Sequence, residues 1–112
     1  MTRRIVVMLA YALAVALVTS VGPASSQSGV TIQLFQFRPD QLEVKAGTRL
    51  SWTNQDDIEH TVTSGTPEKL DGRFDVRLSG RGTTGQIELR QPGVYPYFCS
   101  RHQSMRGEIR VK

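Results

Sequence analysis

Beyond its first two dozen residues the chain reads as a series of short alternating runs. Gln41-Leu42-Glu43-Val44-Lys45 puts Leu42 and Val44 on one face and polar or charged side chains on the other. The run 48–54 repeats the pattern with Leu50 and Trp52 on a shared face, and 86–90 and 107–111 alternate in the same way. A period of two marks a strand, because successive side chains point to opposite faces. Val30 to Phe37 is rich in β-formers and predicts a further strand, after a small, polar arm over 25–29. His60 to Thr63 predicts the start of another. So does 94–99, where Pro96 points to an edge position or a bulge. The stretch 65–82 is crowded with glycine; within it 74–78 reads as a strand, close to an apolar patch of Leu70, Phe74, Val76 and Leu78. Pro39, Gly47 and Pro92-Gly93 mark turns. No amphipathic helical period follows residue 24. Seven or eight short strands separated by Gly/Pro turns predict an all-β Greek-key sandwich or barrel.

The N-terminus follows a different pattern. Arg3 and Arg4 precede an unbroken apolar run from Ile5 to Val18, and small residues follow through Ser26. A charged start, an apolar core and a small-residue region in that order predict a secretory signal peptide. Gly22 and Ala24 fit the positions read at the cleavage site, so residues 1–24 are expected to leave and 25–112 to form the mature domain, with Ser26 the second choice for the cut. A retained anchor is the competing reading, but the run is short for a span of about 20 residues. No stable membrane insertion is expected after cleavage, and an exported, periplasmic location follows.

Removing 24 of the 112 residues leaves 88, one domain with a small core. Exported domains of this size often carry disulfides, yet Cys99 is the single cysteine and cannot form one internally. A bound metal is another route to stability, and it would give an exported chain a reason to keep a thiol. Losing Arg3 and Arg4 takes the formal charge from +4 to near +2. That mild excess, with no basic run, argues against a nucleic-acid partner. A monomer is expected.

The chemistry concentrates in Tyr97-Phe98-Cys99-Ser100-Arg101-His102-Gln103-Ser104-Met105. A thiol, an imidazole and a thioether are spaced three residues apart. The chain has one other histidine, His60, and the remaining methionines, Met1 and Met8, fall in the expected signal. A copper electron-transfer site needs one thiolate, two imidazoles and a weak axial thioether. Cys99, His60, His102 and Met105 supply that set. Taken singly, each has a plainer reading as a buried cysteine, a surface histidine or a core methionine. Taken together at this spacing, they point to copper.

These residues carry a resemblance. Trp52-x-Asn54, His60-x-Val62, Gly72-x-Phe74-Asp75, Pro92-Gly93-Val94-Tyr95-x-Tyr97-x-Cys99, His102, Met105 and Gly107-x-Ile109-x-Val111 together resemble the cupredoxins, the type 1 (blue) copper proteins, and within them the amicyanin and plastocyanin group. The Cys-x2-His-x2-Met spacing is that of the short amicyanin loop. The resemblance implies a cupredoxin fold, with His60, Cys99 and His102 as strong ligands to one copper ion and Met105 as the long axial one. It also implies that electrons pass at the edge of His102, where redox protein partners would dock. The chain departs from the family pattern at Thr61, where relatives usually carry Asn, and at Arg101 and Gln103, where amicyanin-type loops carry Pro. Arg101 and Arg106 beside that edge suit a partner with an acidic surface.

The expected function is therefore a small electron carrier and not an enzyme. A periplasmic copper chaperone or storage protein on the same fold is the alternative, although such sites tend to be richer in Met or His. A cysteine hydrolase built on Cys99, a metal-free structural sandwich and adventitious zinc are further alternatives. Trp52, Tyr95 and Tyr97 fall at alternating strand positions and read as sheet packing rather than an electron path.

Overall fold

Alternation builds the strands, and the breaks between them decide which sheet each strand joins. The computed structural model describes residues 26–112; the signal segment expected over 1–24 lies outside them. Nine strands follow in order: β1 (Gln27–Gln33), β2 (Gln36–Arg38), β3 (Gln41–Val44), β4 (Arg49–Asn54), β5 (His60–Thr66), β6 (Lys69–Leu78), β7 (Thr84–Glu88), β8 (Gly93–Phe98) and β9 (Arg106–Val111). One sheet has the order β2-β1-β4-β7 and the other β3-β9-β8-β5-β6. β1 runs parallel to β4, and β3 parallel to β9; the other pairs are antiparallel. The result is an all-β sandwich, and no helix occurs among the described residues.

The inward positions of the alternating runs meet in one core. Val30, Ile32, Leu50 and Trp52 come from the first sheet, and Val62, Tyr95, Tyr97, Ile109 and Val111 from the second. Trp52 meets Tyr97 edge to face at 5.5 Å between ring centres. The Tyr95 hydroxyl donates to the Gln91 carbonyl oxygen at 2.6 Å. Packing is thus the observed role of these aromatics.

Four expectations need correction. The polar arm 25–29 is not loose, because Gln27 to Gly29 pair with Arg49 to Ser51. The single strand expected over 30–37 is two strands joined by a tight turn at Leu34-Phe35, which brings the count to nine. The glycine-rich stretch hides a ten-residue strand, β6, that begins before the apolar alternation does. Pro96, expected at an edge or a bulge, lies in an interior strand whose register with β9 is unbroken. Its missing N–H does no harm, since β8 pairs with β5 only through Thr63↔Phe98 and Ser64↔Tyr97, ending one residue short of the proline.

This topology fixes one end of the sandwich. β5 starts with His60, β8 ends at Phe98 just before Cys99, and the two strands are antiparallel neighbours. The chain then makes a short loop over 99–105 and re-enters the sheet as β9.

Candidate metal centre

The Cys99 thiol is fully buried at the end of β8, and the His60 ring is fully buried at the start of β5. His102, in the loop, is only partly buried. Their donor atoms form a triangle. Cys99 Sγ lies 3.7 Å from His60 Nδ1 and 3.8 Å from His102 Nδ1, and all three atoms fall within 4.8 Å of one another. A metal bound at about 2.3 Å to sulfur and about 2.0 Å to nitrogen, with an angle near 120°, needs donors about 3.7 Å apart. The donor spacing therefore fits one trigonal His2Cys metal ion, the arrangement of blue-copper sites. Met105, the fourth expected donor, is buried at the end of the same loop and belongs to the core cluster.

The backbone holds this loop closed. The Cys99 N–H donates to the Met105 carbonyl at 3.1 Å, the His102 N–H to the Cys99 carbonyl at 3.3 Å, and the Met105 N–H to the His102 carbonyl at 2.9 Å. The loop thus has internal order although Arg101 and Gln103 stand in place of prolines.

Thr61 ties the two ligand segments together. Its backbone N–H donates to Cys99 Sγ at 3.3 Å. Its hydroxyl oxygen accepts the Ser100 N–H at 2.8 Å and lies 3.0 Å from Ser100 Oγ. Thr61 and Thr63 share a hydrogen bond of 2.9 Å, and Thr63 donates to Asp75 Oδ1 at 2.9 Å.

Three neighbours of the site escaped the sequence reading: Asp56, Leu34 and Phe35. Asp56 Oδ2 lies 2.8 Å from His60 Nε2. The same carboxylate accepts the Leu34 N–H at 2.9 Å and the Phe35 N–H at 3.0 Å. Burial pushes this carboxyl up, but the hydrogen bonds from Phe35, His60 and Leu34 outweigh burial and hold it below its ordinary value. It is therefore an anion near neutral pH and can only accept. Leu34 and Phe35 have φ of 51° and 58°. For bulky residues this left-handed region costs about 1–2 kcal/mol each. Hydrogen bonds to a charged acceptor are worth about 1.5–3 kcal/mol each, so the two amide bonds offset the strain. The turn places the Phe35 ring edge-on to both imidazoles, 5.3 Å from His60 and 4.9 Å from His102 between ring centres. An aspartate four residues ahead of His60 was the available sequence signal; nothing near Leu34-Phe35 marked the turn.

The arginines flanking the loop are paired. Arg101 Nε lies 3.4 Å from Glu59 Oε1, a carboxylate it shares with Arg77, and Arg106 lies 3.5 Å from Glu68 Oε1. These pairs are mostly solvated and contribute little to stability.

Comparison with known proteins agrees with the geometry. The family described as copper binding proteins, plastocyanin/azurin family, matches residues 24–112. Amicyanin-alpha of Methylorubrum extorquens is 27 % identical over 90 residues, covering 80 % of this chain and 75 % of the relative. Plastocyanin of Scenedesmus fuscus is 27 % identical over 84 residues, covering 68 % of this chain and 86 % of the relative. Among solved structures, a purple cupredoxin from Nitrosopumilus maritimus superposes with a TM-score of 0.70 at 25 % identity, covering 76 % of this chain and 99 % of that one. An amicyanin variant in its reduced Cu(I) form superposes with a TM-score of 0.68 at 22 % identity, covering 80 % of this chain and 85 % of that one, a likeness of fold.

Proposed function

The chain belongs to the plastocyanin/azurin family of copper-binding proteins, and on that premise we propose that it carries single electrons between redox protein partners and transforms no substrate itself. The observation that carries this reading is the triangle of His60 Nδ1, Cys99 Sγ and His102 Nδ1. In this reading those three atoms are the strong ligands and the Met105 thioether is the weak axial one. Copper, when bound, supplies a couple that gains and loses one electron.

The protein's contribution is constraint. Strand ends fix His60 and Cys99, and backbone bonds close the loop on His102 and Met105. Donors held in this way have little to rearrange when the charge on the centre changes. The Thr61 N–H on the sulfur is a lever on its electron density, and thus on the potential. Only His102 among the three reaches partly to the surface, so the partner docks at its edge. Arg101 and Arg106 on that rim favour an acidic partner surface by steering. Glu59 and Glu68 already neutralise part of their charge, so the attraction is mild. Burial of His60, Cys99 and Met105 favours a carrier that keeps its copper over a chaperone or store that must release it.

The order of charged, apolar and small residues in 1–24 supports export and cleavage after Ala24, giving a periplasmic monomer. No helix of the described residues is long and apolar enough to cross a membrane.

The test is a visible spectrum of protein purified from the periplasmic fraction and titrated with Cu(II), beside Cys99→Ser. An intact mass starting at Ser25 checks the cleavage site. The expected result is an intense thiolate-to-copper band that saturates at one copper and is absent from the variant. A colourless protein, or only the weak band of ordinary Cu(II), overturns the reading.

A further inference from the structure

Within the reading just given, on which this inference rests, one carboxylate touches more of the centre than a single ligand. Asp56 accepts the Leu34 and Phe35 amides and lies 2.8 Å from His60 Nε2. Its side chain is only 12 % exposed. We propose that Asp56 is a positioning residue of the metal centre with two outputs, one through His60 and one through Phe35.

The first output is a tautomer. An ionised carboxylate accepts and cannot donate, so the His60 proton sits on Nε2. Nδ1, 3.7 Å from Cys99 Sγ, is then left with its lone pair free for a metal. A carboxylate behind a ligand histidine also fixes the rotation of the ring. An anion placed there stabilises the more highly charged state of the centre.

The second output is a cover. A two-residue hairpin between Gln33 and Gln36 is most easily built from Asn-Gly or Gly-Gly, because both central residues need positive φ. Here Leu and Phe occupy those positions, and Asp56, more than 20 residues further along, holds their amides. The benefit is the Phe35 ring, which lies edge-on to both imidazoles while keeping 48 % of its surface exposed. Phe35 thus limits the swing of the His102 ring, the ligand ring with solvent access. One side chain couples a surface turn to both imidazole ligands.

The test uses the full chain, wild type and Asp56→Asn, metal-free and copper-loaded. In the metal-free wild type at pH 8, ring-nitrogen NMR is expected to show His60 as the Nε2–H tautomer, with protected Leu34 and Phe35 amides. In Asp56→Asn at least one of those amides is expected to exchange about tenfold faster, with the β3–β9 amides unchanged. In the copper form the variant is expected to keep its thiolate band, with the midpoint raised by about 59 mV for a tenfold shift toward the reduced state. A purely structural role would not move the potential. Wild-type His60 as the Nδ1–H tautomer overturns the proposal without recourse to any variant. So does an Asp56→Asn protein with protected amides and an unmoved potential. A colourless wild type with the expected NMR result overturns the electron-carrier reading and leaves the positioning role of Asp56 standing.

Discussion

Thr61 is the smallest part of the centre that links its two halves. Its backbone bonds the Cys99 sulfur, and its side chain bonds the residue after Cys99. An asparagine in this position would reach further, but the threonine hydroxyl already meets Ser100 because β5 and β8 pair closely here. Thr61→Val keeps the shape and removes the hydroxyl, stranding the Ser100 amide and breaking the link to Thr63. The expected cost is about 1–3 kcal/mol, read from urea unfolding of the metal-free protein, with Thr61→Ser losing less. A valine variant within about 0.5 kcal/mol of wild type would mean that the tie is incidental. At this scale the sequence was most legible for the candidate donors. His60, Cys99, His102 and Met105 are the soft donors of residues 25–112, and the structure gathers the first three of them into one cluster. Asp56 was not legible, because much of its role lies in accepting hydrogen bonds from amides more than 20 positions away. An acidic connection looks the same whether its carboxylates face solvent or a histidine.

Elements were legible where one face was buried and the other wet. β3, β4 and β9 alternate in sequence and in burial. β5 does not alternate, since it is buried from His60 through Gly65, and its polar residues serve hydrogen bonds rather than solvent. Ser64 Oγ, for example, accepts the Arg73 and Phe74 amides at 2.9 Å each. The Leu34-Phe35 turn was illegible because its stabilising partner is not local. Between β8 and β9 the sequence pattern Gly107-x-Ile109 had a meaning that only pairing reveals. Gly107 sits opposite Tyr97, and the Tyr97 ring lies where a Cβ on residue 107 would have to go. Burial pushes the Tyr97 hydroxyl up to about 12, as expected for a phenol sealed between strands. Gly107→Ala is expected to destabilise by about 1–3 kcal/mol through overpacking, seen as a lower urea midpoint with an unchanged slope. Tyr97→Leu should cost less in that background than in the wild type, and strictly additive effects would place the clash elsewhere.

At the scale of the molecule, the centre is an extension of the core rather than an attachment to it. Cys99 and Met105 belong to the same buried cluster as Trp52, Tyr97 and Ile109, so the fold and the donor set are built by the same contacts. Two sheets closed over one core bury the inward faces of both. A domain of this size nevertheless has a narrow margin, and a ligand that binds only the folded form widens it. At a thousandfold excess over Kd the gain is about 4 kcal/mol. Each kcal/mol moves the Tm of such a domain by roughly 4–8 °C. Chelating copper from the loaded protein is therefore expected to lower Tm by roughly 15–30 °C with little change in the far-ultraviolet circular dichroism of the folded state. The donors should divide this effect unequally. Cys99→Ser removes the thiolate and should abolish most of the copper-dependent shift. Met105→Leu preserves volume and removes only the weak donor, so most of the shift should remain. Calorimetry of the three proteins with and without chelator separates these outcomes. A wild type that melts at one temperature in both conditions has no site selective for the folded state. A Met105→Leu protein that loses the whole shift makes the thioether a principal ligand, contrary to its assignment here as the weak axial one.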